Sequence, residues 1–196
     1  MKTFFYLNLL VLLCACANID STVFIPDGDD PNLPAYTEWG YNSFGAKYER
    51  LYFLADNSIT PCKITYREGM LHFSLAGTLR ADTYGSRFEN MTLTVSFPSG
   101  PVSEYRDLLI LHERSIDLSS CSVDIEKSNS AGRTAVSSVK GHLTFRRAQL
   151  LRIDGEENRV ILSGSFDMQF LTDGKPESIT DGRFDVGIHK DFYSFD

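Results

Sequence analysis

The stretch MTLTVSF, Met91 to Phe97, alternates apolar Met91, Leu93, Val95 and Phe97 with polar Thr92, Thr94 and Ser96. A period of two puts every second side chain on one face, which marks a strand buried on one side and wet on the other. The pattern repeats on both sides of this stretch. Upstream, Leu71, Phe73 and Leu75 alternate with His72 and Ser74. Downstream, Leu143 and Phe145 continue from Val139 and Gly141, and Leu162, Gly164, Phe166, Met168 and Phe170 oppose Ile161, Ser163, Ser165, Asp167 and Gln169. Turn signals separate the runs at Glu68-Gly69, Pro98 to Pro101, Asp154-Gly155, Asp173-Gly174 and Asp181-Gly182. Only Val102 to Glu113 carries a helical spacing, through Tyr105, Leu108, Leu109 and His112. The expectation is a single all-β domain, an antiparallel β-sandwich or barrel-like sheet with at most one short helix.

The chain has 196 residues and a formal net charge of -7. That length can bury a core without metals or a disulfide framework, and 42% hydrophobic content excludes a mainly disordered chain. The acidic balance argues against nucleic acid as a partner, because neutralising phosphates needs clustered Lys and Arg. Lys2 followed by the apolar run Phe4 to Leu13 reads as a secretory leader, since about 20 apolar residues are needed to span a bilayer. The run ends in Leu13-Cys14-Ala15-Cys16, which resembles a bacterial lipobox with Cys16 as the lipidated residue. Residues 1–15 are then a lipoprotein signal peptide, 16–35 a lipidated cysteine with a flexible tether rich in Pro, Asp and Gly, and 36–196 the β domain. Asp27, Asp29 and Asp30 lack the rest of a calcium loop and read as solvated acids. Asp20-Ser21-Thr22 resembles a short O-glycan acceptor with Ser21 as the modified residue.

The chemistry-bearing residues make no catalytic constellation. Cys62 and Cys121 remain in the mature domain as either a disulfide or two separate thiols. His72, His112, His142 and His189 are scattered without zinc-site spacing, so no metal is expected, and no motif calls for a cofactor. Asp167 and Asp185 each follow a Phe in a late strand, where alternation points them to solvent. The aromatics Tyr36, Trp39, Tyr41, Phe44, Tyr48, Tyr52 and Phe53 are dense. They read either as rings closing one end of the core or, for Tyr36, Trp39 and Tyr41, as a ligand-stacking surface. Arg146, Arg147, Arg152 and Arg159 are expected to pair with Asp154, Glu156 and Glu157 around a hairpin.

LPAYTEWGYNSFG (Leu33 to Gly45), GHLTF (Gly141 to Phe145), ILSGSFDMQF (Ile161 to Phe170) and ITDGRFDV (Ile179 to Val186) follow one another in the chain. Together they resemble a family of exported Bacteroidota lipoproteins that open with LPxxTxxGxNTFG and close with strands like ISGTF and ITxGxFD. The chain departs from it at Ala46, where members often carry Cys, and at Ser43 in place of Thr. The resemblance implies export and an all-β domain, and it assigns no activity.

These readings lead to a lipid-anchored cell-envelope protein, on the outer membrane, whose β domain is a non-catalytic binding module. Its partners are the membrane, through the N-terminal lipid, and a glycan or an envelope or host protein. The alternative is a small hydrolase of polysaccharide or peptide with acids gathered from separate strands.

Overall fold

Two of the turn signals close tight hairpins. Glu68 and Gly69 both have positive φ and join β3 (Cys62–Arg67) to β4 (Met70–Arg80). Asp173 and Gly174 do the same between β10 (Glu156–Thr172) and β11 (Lys175–Ile188). Such turns match the right-handed twist of the strands they link. Asp181-Gly182 is not a turn. It lies inside β11, where Asp181 has φ 55° and the pairing register with β10 shifts, as in a β-bulge.

The computed structural model describes residues 22–128, 133–134, 136–153, 156–189 and 193–195. Cys16, Ser21 and the Asp154-Gly155 turn lie outside them. The remaining strands are β1 (Ser43–Tyr48), β2 (Leu51–Leu54), β5 (Arg87–Pro98), β6 (Arg114–Asp117), β7 (Ser122–Lys127), β8 (Arg133–Thr134), β9 (Val136–Ile153) and β12 (Tyr193–Phe195). They form one sheet in the order β6-β9-β10-β11-β1-β2-β4-β5-β7-β8. All these pairings are antiparallel; β3 adds to β4, and β12 runs parallel to β3. The segment with helical spacing holds a 3-10 helix, Tyr105–Leu111, whose buried Leu108 and Leu111 face the core.

The sheet curls into a half-barrel, and the core shows why it must. Phe73 of β4 packs edge-on against Phe145 of β9 at 5.3 Å and in a tilted pair against Phe184 of β11 at 5.1 Å. Those strands are not neighbours in the sheet, so their rings meet only because the sheet folds back on itself. Each buried ring removes enough apolar surface from water to contribute about 1.5–3 kcal/mol. Tilted and edge-to-face pairs add roughly 0.5–1.5 kcal/mol each. Gly164 of β10 lies under this cluster, where a Cβ would sit 2.0 Å from the Thr144 carbonyl oxygen and 2.6 Å from the Phe184 ring.

The outer face of the half-barrel is not bare. Residues 22–41 lie along it as a further layer. Pro26 bridges Pro34, the Ala35 amide donates to Ile25 O at 2.7 Å, and the Val23 amide donates to Tyr41 O at 2.8 Å. Beneath this layer Leu33, Leu54 and Ile161 are buried apart from the main core. Asp27 meets Arg183 at 2.6 Å, and Lys47 meets Asp30 at 3.0 Å. The composition of residues 22–35 suggested a free tether. Instead, Leu33 and Pro34 are buried, and two of the acids expected to be solvated, Asp27 and Asp30, make specific ion pairs, while Asp29 is exposed.

Candidate binding surface around Trp39

In β11, Phe184 and Val186 point into the core, so Asp185 between them points to the outer face. It pairs in register with Ser43 of β1 and Ser163 of β10. All three are buried, Asp185 at 2% exposure, because residues 37–41 cross above them. The expectation that Asp185 faces solvent is therefore wrong, since alternation reveals the face of a strand but not what covers that face. The Asp185 carboxylate accepts from the Thr37 hydroxyl at 2.6 Å, the Gly40 amide at 2.7 Å and the Trp39 amide at 3.0 Å. Longer contacts come from the Ser163 hydroxyl at 3.3 Å and the Tyr41 amide at 3.4 Å. One residue further on, Asn42 Oδ1 accepts from the Gly187 amide at 2.9 Å. Gly40 has φ +74°, and a Cβ there would press on Ile161 at 3.1 Å.

This clasp fixes the backbone of Trp39 while leaving its indole 71% exposed. Around it, the Tyr36 hydroxyl donates to Glu38 at 2.9 Å, and the Arg146 guanidinium lies 5.3 Å from the Tyr36 ring centre. Burial first, and then the neighbouring Glu38 carboxylate, raise the Tyr36 phenol, so it keeps its proton. Gln149 donates to the Glu38 carbonyl at 2.9 Å, and Arg147 reaches both Gln149 Oε1 at 3.0 Å and Glu38 at 3.6 Å. Of the three proposed stacking residues, only Trp39 offers a free face. Tyr36 and Tyr41 are half-buried, while Phe44, Tyr48 and Phe53 belong to the core. Of the expected basic hairpin, Arg152 pairs with Glu157 at 3.0 Å, whereas Arg146 and Arg147 turn to the Trp39 surface; the Asp154 and Glu156 side chains lie outside those described.

Cys62 and Cys121 are both free thiols. Cys62 is on β3 and Cys121 precedes β7, so β4 and β5 lie between them, three strand spacings of about 4.8 Å each. A disulfide needs Cα atoms within roughly 7 Å, and this placement forbids it. Burial pushes both thiols up. Asp167 is exposed on the outer face of β10. Among the described residues no cluster of three or more His, Cys, Asp or Glu could hold a metal ion. No described helix is long and apolar enough to cross a membrane.

Two grooves lie elsewhere. One of about 460 Å³ is lined by Glu49, Lys140, Phe170, Glu177 and Ser178 among others. Its two carboxylates are engaged: Glu49 accepts from the Ser178 amide at 2.6 Å, and Glu177 accepts from the Tyr48 hydroxyl. The other, about 470 Å³, runs over the hydroxyl-rich outer face of β3, β4, β5 and β7. There His72 meets Ser96 at 2.7 Å, and Ser74 meets Thr94 at 2.9 Å. The displaced carboxyls, those of Asp27, Asp30, Asp56, Asp107 and Asp117, all move downward. That suits permanent acceptors, whereas a general acid needs the opposite shift. No family model, curated protein or solved structure matches the chain.

Proposed function

We propose that this protein is a lipid-anchored module of the bacterial cell envelope that binds glycan without chemistry, through the Trp39 surface. One observation carries the reading: the backbone of the chain's single tryptophan is pinned by Asp185 and its side chain is yet left exposed. Trp is ordinarily among the most buried side chains on average, and an uncovered indole on a pinned backbone is a flat apolar face awaiting a partner. A sugar ring fits that chemistry. Its C–H face stacks on the indole, while the amide and charged groups of Glu38, Arg147 and Gln149 can bond its hydroxyls. The leader and Cys16 support the address, and the resemblance to exported Bacteroidota lipoproteins agrees with it. The same reading expects Cys16→Ala to leave the membrane fraction. The hydrolase alternative gains nothing from the acids, since the five donors on Asp185 commit it to the fold.

Because Trp39 is the only tryptophan, its emission reports on the site directly. Titration with oligosaccharides from host, plant and bacterial polysaccharides should give a saturable emission change. Trp39→Ala should abolish capture on a glycan array with an unchanged circular dichroism spectrum. Equal capture of wild type and Trp39→Ala would exclude this surface.

A further inference from the structure

Two more aromatics stand in the open, far from Trp39 in the sheet. Tyr84, in the turn between β4 and β5, is 90% exposed, and Phe88, the second residue of β5, is 55% exposed. Neither lines either groove. The tip that carries them is braced. Arg87 reaches Asp56 at 2.7 Å and Ser58 at 3.0 Å, and Arg80 reaches the same Asp56 at 2.5 Å. Arg80 also donates to the Thr83 carbonyl at 3.3 Å, while the Thr83 amide donates to Asn32 at 3.3 Å. Exposed aromatic rings carried on one braced turn suit contact with a membrane surface or a partner.

The position of the chain's N-terminal end names the cover. The Thr22 amide donates to Asn57 at 2.8 Å, next to the Asp56 and Ser58 that hold the β4–β5 tip. Val23 and Ile25, just after it, are also exposed apolar residues. Cys16 is six residues before Thr22 in the sequence, so fully extended chain separates them by at most about 20 Å. A lipid on Cys16 would therefore hold the bilayer surface within reach of this end of the molecule. Around the tip Arg80 and Arg87 stand against Asp56, Asp82 and Glu89, a net charge of -1, so charge does not draw the tip to headgroups and the two rings carry the contact. Tyr and Phe beside Arg match the water–lipid boundary, where amphipathic rings sit at headgroup level.

We propose that the β4–β5 tip, through Tyr84 and Phe88, rests in the headgroup region of the bilayer that holds the Cys16 lipid and so fixes the domain's orientation. This rests on the anchored reading above. Trp39, clasped over β11, is three strand spacings from β4, about 14 Å or more, which leaves it free for glycan.

The test uses the full lipoprotein, purified from membranes and reconstituted into phosphatidylethanolamine–phosphatidylglycerol vesicles with brominated acyl chains. The Trp39→Phe, Tyr84→Trp double variant moves the only tryptophan to the tip, and circular dichroism checks its fold. Blue-shifted emission that brominated lipid quenches, with unquenched Trp39 in the wild-type chain, is the expected result. Solvent-like, unquenched emission from position 84 in protein that floats with the vesicles overturns the tip contact and leaves the anchor standing. Quenching of wild-type Trp39 instead of the tip overturns the orientation. Failure to float with vesicles defeats the anchored reading, and the proposal with it.

Discussion

Replacing Asp185 with alanine tests the clasp most directly. The carboxylate accepts five hydrogen bonds, two of them 2.6–2.7 Å long. The Thr37 and Ser163 hydroxyls can rotate toward other acceptors once it is gone. The Trp39 and Gly40 amides cannot, because turning them means moving the backbone. A hydrogen bond to a charged group contributes about 1.5–3 kcal/mol, and a buried donor left unpaired costs a similar amount. The two amides alone therefore set an expected loss of roughly 3–5 kcal/mol. If the segment peels away to spare those amides, it surrenders the burial of Leu33, Leu54 and Ile161 instead, a loss of the same order. For a chain of this size each kcal/mol lowers the melting temperature by about 2–4 °C, so the midpoint should fall by roughly 6–20 °C. Asp185→Asn should cost less, roughly 1.5–3 kcal/mol. Its one remaining oxygen can keep the Oδ2 partners Thr37, Trp39 and Tyr41 while its NH2 opposes the Gly40 amide. Urea unfolding followed by circular dichroism gives the free energy, and Trp39 anisotropy reports release of the segment. A loss under about 1 kcal/mol for the alanine variant, with Trp39 anisotropy unchanged, would refute the clasp.

Gly164→Ala drives a methyl into the Thr144 carbonyl and the Phe184 ring, and should destabilise by about 1–3 kcal/mol or block folding; a stable, well-expressed variant contradicts the packing. Burial alone would raise the Asp56 carboxyl, but hydrogen bonds from Ser58 and Arg87 and the Arg87 charge outweigh it and hold it well below the usual carboxylate range. A folded pKa below the unfolded one stabilises above the unfolded value, about 3.9, and that contribution is lost as pH falls toward the folded one. Stability should therefore fall below about pH 5, less steeply in Asp56→Asn, as acid titrations of unfolding free energy will show. Cys62 should resist alkylation in the native protein and react only in denaturant; mass spectrometry that finds a Cys62–Cys121 bridge would contradict the strand order.

The sheet itself was legible in the residues. Period-two runs mark β4, β5 and β10 with the correct inward sets, and the Glu68-Gly69 and Asp173-Gly174 hairpins follow from their turn chemistry. The clasp was not. Alternation in FDV correctly sends Asp185 outward, but only tertiary structure shows that residues 37–41 cover it. The signal was present in the string as Thr37, Gly40 and Asn42 of the opening motif and Asp185 of a closing one. Reading them as contacts requires knowing that β1 and β11 are neighbours, a pairing 142 residues apart at Ser43 and Asp185. The layer of residues 22–35 was hidden for a different reason. Pro, Asp and Gly favour turns and extended chain whether that chain hangs free or lies pinned. Only the ion pairs to Arg183 and Lys47 and the burial of Leu33 separate the two cases.

An open sheet has unfinished edges, and on one side this protein covers its edge with a connection rather than a strand. β9 runs for 18 residues, but β6 pairs with only four of them, Leu143 to Phe145 and His142. Beyond those, the Ala148 amide is taken by the His112 ring at 3.2 Å, just after the 3-10 helix whose Leu108 and Leu111 are buried in the core. A strand edge of that length, left bare, is a template for a second copy of the chain. The stretch from Pro98 to Cys121 thus occupies part of that edge, through β6 and His112. A lesion that loosens it, even one far from Trp39, is expected to show itself first as aggregation, which light scattering would detect.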